Sequence, residues 1–184
     1  YDIETDDRNN QIRAGEDRIL SVGFKDARTG EEEFIILGED TDEAEIFLLN
    51  QVLEKFTKYD VVIGYNSYGF DEIVLEGRWQ KFDVNYMAWR RICRLDMFNQ
   101  FERQFVFKDF KVPTRKLDTI AKAVIGRGKI AHNRKIYDLW QNDKELLREY
   151  NMEDIRLLFD MEEKLKTSNL VLTMMSYAGV LYSQ

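Results

Sequence analysis

The chain has 184 residues with 34 acidic and 27 basic side chains, a formal charge of −7, 44% apolar and 13% aromatic content, which suits one folded domain and excludes a disordered segment. One cysteine, Cys93, and one histidine, His132, exclude an internal disulfide and a zinc site of the usual His and Cys ligands, and fit a reducing compartment. No stretch reaches the roughly 18 apolar residues of a membrane span and no signal-peptide pattern opens the chain, so a soluble, intracellular protein (cytoplasm, nucleoid or nucleus) with no membrane partner is expected.

Tyr1-Asp2-Ile3-Glu4-Thr5 reads as a strand, and alternation puts Asp2 and Glu4 on one face with Tyr1, Ile3 and Thr5 on the other. A polar turn from Asp6 to Asp17 follows. Ile19 to Phe24 and Glu33 to Leu37 read as two strands joined through Thr29-Gly30. The spacing of Ala44, Phe47, Leu48, Val52 and Phe56 predicts a helix over 41–58, with Thr41 or Asp42 as N-cap. Val61 to Tyr65 has the nearly continuous apolar character of a buried strand, a helix is expected from Asp71 to Gln80, and a strand over Arg94 to Phe98. Phe101 to Pro113 alternates aromatic with charged or polar residues, a pattern compatible with an edge hairpin or an aromatic–basic loop. Arg115 to Ile125 reads as a helix ended by Gly126, then a flexible basic loop, Gly126-Arg127-Gly128-Lys129. The longest helical pattern is Asp143 to Lys166. Strands followed by helix–strand alternation predict an α/β fold with a mixed sheet.

Between Glu76 and Lys135 stand 15 Lys and Arg against six Asp and Glu, a local charge of +9, so the rest of the chain carries −16. A basic middle in an acidic chain suits a polyanionic partner on one face. The chain opens inside a strand and stops at Ser183-Gln184 without a closing signal, so one domain of a longer protein is expected.

Three stretches carry candidate chemistry. Paired carboxylates such as Asp2 and Glu4 resist joint ionisation unless a cation lies between them, and Mg2+ or Mn2+ suits an all-oxygen site. The segment Asn66-Ser67-Tyr68-Gly69-Phe70-Asp71 leaves the C-terminal end of a strand, where open α/β sheets bind ligands; Asp71 is equally readable as a helix cap. In the last helix, positions 147, 150, 154, 158, 161 and 165 share one face, occupied by Leu, Tyr, Asp, Leu, Met and Leu. Asp154 therefore lies on an apolar stripe without a Lys or Arg on it, and a metal is the better explanation for a carboxylate there. Asp2, Glu4, Asp71 and Asp154 suffice for two divalent ions about 3.5–4 Å apart.

With these residues in order, the sequence resembles the 3′–5′ proofreading exonuclease domain of family B DNA polymerases, of the ribonuclease-H-like exonuclease superfamily with four acids and a tyrosine. Asp2-Ile3-Glu4 matches its first motif, Asn66-x-x-x-Phe70-Asp71 its second and Tyr150-x-x-x-Asp154 its third. Leu117-Asp118-Thr119-Ile120-Ala121 and Arg148-Glu149-Tyr150-Asn151 also look like family B sequence, and the likeness covers nearly the whole chain. The sister class with a histidine five residues before the last acid is excluded, because that position is Glu149.

The resemblance implies a ribonuclease-H-like mixed sheet of about five strands flanked by helices, spanning residues 1–184 as a fragment of a longer DNA polymerase. It implies two Mg2+ or Mn2+ ions on Asp2, Glu4, Asp71 and Asp154, and Tyr150 orienting the attacking water together with Glu4. It further implies terminal-nucleotide contacts from Asn66, Phe70 and Thr5, a preference for single-stranded DNA 3′ ends, and a polymerase domain of the same chain as partner. For Phe70, core packing competes with base or sugar contact. Phe105 and Phe107 beside Lys108 and Lys111 are candidates to stack frayed single strand, and His132 reads as a loop, DNA-facing or structural residue. A free-standing exonuclease on DNA or RNA, and a catalytically silent DNA-binding module, remain open.

Overall fold

A computed structural model describes residues 1–9, 13–131 and 133–179; His132 and the chain end at 183–184 lie outside the described residues. Strands β1 (Asp2–Thr5), β2 (Ile19–Lys25) and β3 (Glu32–Ile36) form an antiparallel ladder in the order β1-β2-β3, and β4 (Val61–Gly64) pairs in parallel with β5 (Cys93–Asp96). The five strands thus make ladders of three and two rather than one continuously bonded sheet. The link between them is a 2.8 Å hydrogen bond from the Tyr1 nitrogen to the Ile63 carbonyl. The next free N–H of β1, that of Ile3, donates instead to the Asp71 carboxylate at 3.2 Å, because β4 has ended at Gly64.

Helices α1 (Asp42–Phe56) and α2 (Asp71–Lys81) flank the strands, with Thr41 capping α1 through its hydroxyl. Beyond β5 come α3 (Met97–Arg103), α4 (Val106–Asp109), α5 (Leu117–Ile125), α6 (Ile136–Asn142), α7 (Lys144–Leu165) and α8 (Thr167–Ala178). The aromatic segment 101–113 is therefore neither hairpin nor loop. Met97 and Phe101, four residues apart, are fully buried, and Phe107 packs edgewise near Phe101 and tilted against Phe98. A helical period of burial overrode the apparent period of two. The strand expected to reach Phe98 stops at Asp96, whose carboxylate accepts the Phe98 N–H at 2.9 Å and caps α3.

Helix α7 organises the core. It packs across β2 and β1 on one side and against α5 on the other. Leu147 joins the sheet core, whereas Leu157, Leu158 and Met161 join a second core with α3, α4 and α5. The segment 150–154 lies between these two anchored stretches. Its close approach to the sheet depends on Gly23 of β2: a Cβ there would stand 2.5 Å from Ile155 Cδ1, 2.8 Å from Asn151 Oδ1 and 2.9 Å from Met152 Sδ. Gly23→Ala is expected to overpack this contact and cost about 1–3 kcal/mol, read as a lower urea midpoint at unchanged slope. An unchanged midpoint would mean that α7 is not seated this tightly.

Candidate active site

Asp2 and Glu4 come from one face of β1, whose other face buries Ile3 and Thr5. Asp154 comes from α7, one turn after Tyr150. One carboxylate oxygen from each of Asp2, Glu4 and Asp154 lies within 4.8 Å of the others. Asp154 is 5% exposed and its Oδ1 accepts from no donor among the described residues. A buried carboxylate with an unpaired oxygen, clustered with two further acids, calls for a cation, and an all-oxygen donor set suits a hard divalent ion such as Mg2+ or Mn2+. The residues present therefore fit the metal expected from the sequence.

Asp71 lies beside this trio rather than within it. It is 4% exposed at the first position of α2 and is held by the Ile3 N–H, with the helix N-terminus favouring its negative charge. Electrostatics follow from the crowding. Burial, reinforced by Asp71, Asp154 and Glu4, raises the Asp2 carboxyl well above the ordinary range. Burial and Asp154 push Glu4 up to about 8, and burial lifts Asp71 to about 6. Burial and then Glu4 hold the Tyr150 phenol protonated, pushed up to about 12.

Three residues that sequence reading left unassigned complete the site. Lys129 reaches in from the loop after α5 and donates its ammonium to Asp154 Oδ2. Burial works against its charge, but Asp154 outweighs burial and the lysine pKa is raised. No Lys or Arg lies on the helix face of Asp154, as expected, but the chain supplies a basic partner from a remote loop. That loop is also not loose. Asp118 accepts the Lys129 N–H at 2.8 Å, and Arg127 pairs with Glu153 and Asp160 on α7. Asn151, fully buried, donates to Asp2 Oδ2 at 2.6 Å. Asp96, 1% exposed, accepts the N–H groups of Asn66 (2.9 Å) and Tyr68 (3.3 Å) and so shapes the loop after β4. The sequence signal for Lys129 was a basic residue behind glycines; for Asn151 and Asp96 there was none beyond polarity in apolar surroundings.

The remaining residues expected to contact substrate differ in exposure. Asn66 is exposed in a left-handed conformation with φ +59°. Phe70 is half-buried against the sheet core, and Thr5 is 3% exposed at an irregularity in the β1–β2 register. Phe107 is buried and unavailable for stacking, whereas Phe105 is 64% exposed. The basic middle is not a free stripe either: Arg78 pairs with Glu45, Arg94 with Glu72 and Glu76, Arg115 with Glu102, and Lys122 with Asp118. Among the described residues no helix is long and apolar enough to cross a membrane.

Known proteins share this fold. The family B DNA polymerase from the hyperthermophilic archaeon Pyrobaculum calidifontis shares the fold, with a TM-score of 0.71 and 21% identity over 89% of this chain. The chain spans about a quarter of that polymerase, 24% of its length. No curated protein sequence matches the chain. A family model described as the RNase H superfamily matches residues 1–166, nearly the whole described chain, including the strand and the two helices that carry the acids. The chain belongs to the RNase H superfamily.

Proposed function

We propose that this domain is a metal-dependent 3′–5′ exonuclease that removes nucleotides from DNA ends, the proofreading part of a family B DNA polymerase. The observation that carries the reading is the trio Asp2, Glu4 and Asp154, one carboxylate oxygen of each within 4.8 Å of the others, in which Asp154 is buried and its Oδ1 unpaired. Likeness in fold to the Pyrobaculum calidifontis polymerase supports the polymerase context.

Asp2, Glu4 and Asp154 would hold one divalent ion, with Asp2 and Asp71 serving a second. Such ions, when bound, lower the pKa of an attacking water and stabilise the departing 3′ oxygen. The chain's own groups do the positioning. Tyr150, protonated at neutral pH, donates a hydrogen bond that orients water beside Glu4. Lys129, which donates to Asp154, would offer its ammonium to a phosphate oxygen when a bound cation takes its place on that carboxylate. Asn66, exposed in the loop after β4, would contact the terminal nucleotide, and half-buried Phe70 would present a ring edge to its base.

Degradation of 5′-labelled single-stranded DNA, with Mg2+, with Mn2+ and with chelator, tests the reading. The expected result is a ladder shrinking from the 3′ end only when metal is present, faster on mispaired than on paired termini because frayed ends cost less to unpair. Cleavage in chelator, internal cuts, or a folded sample inert on both DNA and RNA would overturn it; activity confined to RNA would move the substrate but keep the chemistry.

A further inference from the structure

Asn151 has no part in the chemistry described so far, yet the fold makes two concessions to it. It is fully buried, its Nδ2 donates 2.6 Å to Asp2 Oδ2, and its Oδ1 meets no donor among the described residues. An apolar side chain there would avoid the penalty of a buried, half-satisfied amide. Across the interface, β2 gives up a side chain at Gly23, the residue paired with Asp2, and a Cβ at that point would press to 2.8 Å of Asn151 Oδ1. A glycine inside a strand and an amide inside a helix are each unfavourable alone. Together they bring one neutral donor onto one oxygen of the first acid.

We propose that Asn151 is a positioning residue for Asp2, fixing that carboxylate so that its other oxygen faces the cation. The donor's neutrality matters. Lys129 on Asp154 supplies charge and so stands in for a cation, whereas an amide orients a carboxylate without reducing the site's demand for positive charge. Hydrogen-bond partners of metal-ligating side chains typically contribute 10–100-fold in metal affinity.

The inference rests on the metal-dependent reading of the acid trio, and its test separates the two. Mn2+ binding to the protein without DNA is followed by electron paramagnetic resonance, alongside melting temperature and single-turnover cleavage, for wild type, Asn151→Leu and Asn151→Ala. Leu keeps the volume and removes the orphan oxygen; Ala leaves a cavity. Both variants are expected to bind Mn2+ roughly 10–100-fold more weakly and to lose maximal single-turnover rate with half-saturation by DNA unchanged, although Asn151→Leu melts at or above wild type and Asn151→Ala below it. Metal affinity that falls only in Asn151→Ala, in step with stability, or that stays at the wild-type level in Asn151→Leu, would overturn the positioning role. Wild type that binds no Mn2+ would overturn both this role and the metal-dependent reading beneath it.

Discussion

Glu4→Gln is expected to make the metal-free protein more stable at pH 8 and at the same time to remove its cleavage activity. The two effects share one cause. Burial and Asp154 raise the Glu4 carboxyl to about 8, far above its unfolded range of about 4.3. The folded state therefore holds a proton that the unfolded state has released, so the stability contributed by Glu4 is present below the unfolded pKa and lost as pH rises through about 8. Asp71, lifted to about 6, acts in the same direction over a lower window. Glutamine removes one charge from the cluster without changing its shape. A gain of about 1 kcal/mol, or about 2–4 °C in melting temperature for a chain this size, is expected at pH 8, shrinking toward pH 4.

Mg2+ should reverse the comparison: at about 100-fold over its Kd it adds roughly 2.7 kcal/mol to the wild type and much less to the variant. Loss of a direct ligand exceeds the loss of its supporting partner, so cleavage should fall by more than about 100-fold. Thermal melts across pH 4–9, with and without Mg2+, check the thermodynamic half. A variant that melts lower than wild type at pH 8 in chelator would mean that the acids are not in electrostatic conflict.

Lys129→Met separates charge from packing. Methionine retains an unbranched apolar stem, and what disappears is the ammonium on Asp154. Breaking a buried pair costs about 3–5 kcal/mol, but the Lys129 side chain is 31% exposed, so a loss nearer 1–2 kcal/mol is expected in metal-free urea unfolding. With its competitor gone, Mn2+ should bind at least as tightly as in wild type. Single-turnover cleavage should nevertheless fall by about 10²–10³, the typical effect of removing one donor aimed at transition-state charge. Slower cleavage together with tighter metal binding is a combination that a purely structural lysine does not produce. If rate and metal affinity instead fall in parallel with stability, Lys129 serves the fold rather than the reaction.

What could be read ahead of the structure was whatever depends on local period. Asp2 and Glu4 share a face because a strand alternates, and Tyr150 and Asp154 lie a turn apart because a helix repeats at 3.6 residues; the meeting of Asp154 with Asp2 and Glu4 comes from α7 packing on β1. The same rule misled at 101–113, where aromatics spaced by two and three residues imitated a strand. Burial of Met97, Phe101 and Phe107 against α5 and α7 made helices of it instead. Helices α6 and α8 were absent from the expectation: α6 has only seven residues, and α8 buries Thr167 and Ser168 while leaving Leu170, Met174 and Tyr177 exposed, so neither shows the usual apolar-in, polar-out stripe.

The amino-acid sequence by itself determined which side chains are charged, which faces they occupy and the order of the three acidic stretches, since these depend on residues within a turn or a strand of one another. Tertiary structure alone decided the partners. Lys129 meets Asp154 across 25 positions, Asn151 meets Asp2 across 149, and Asp71 meets Ile3 across 68. Such contacts are set by how α7 seats on Gly23 and where β4 stops, and packing of remote surfaces leaves no periodic trace in the chain.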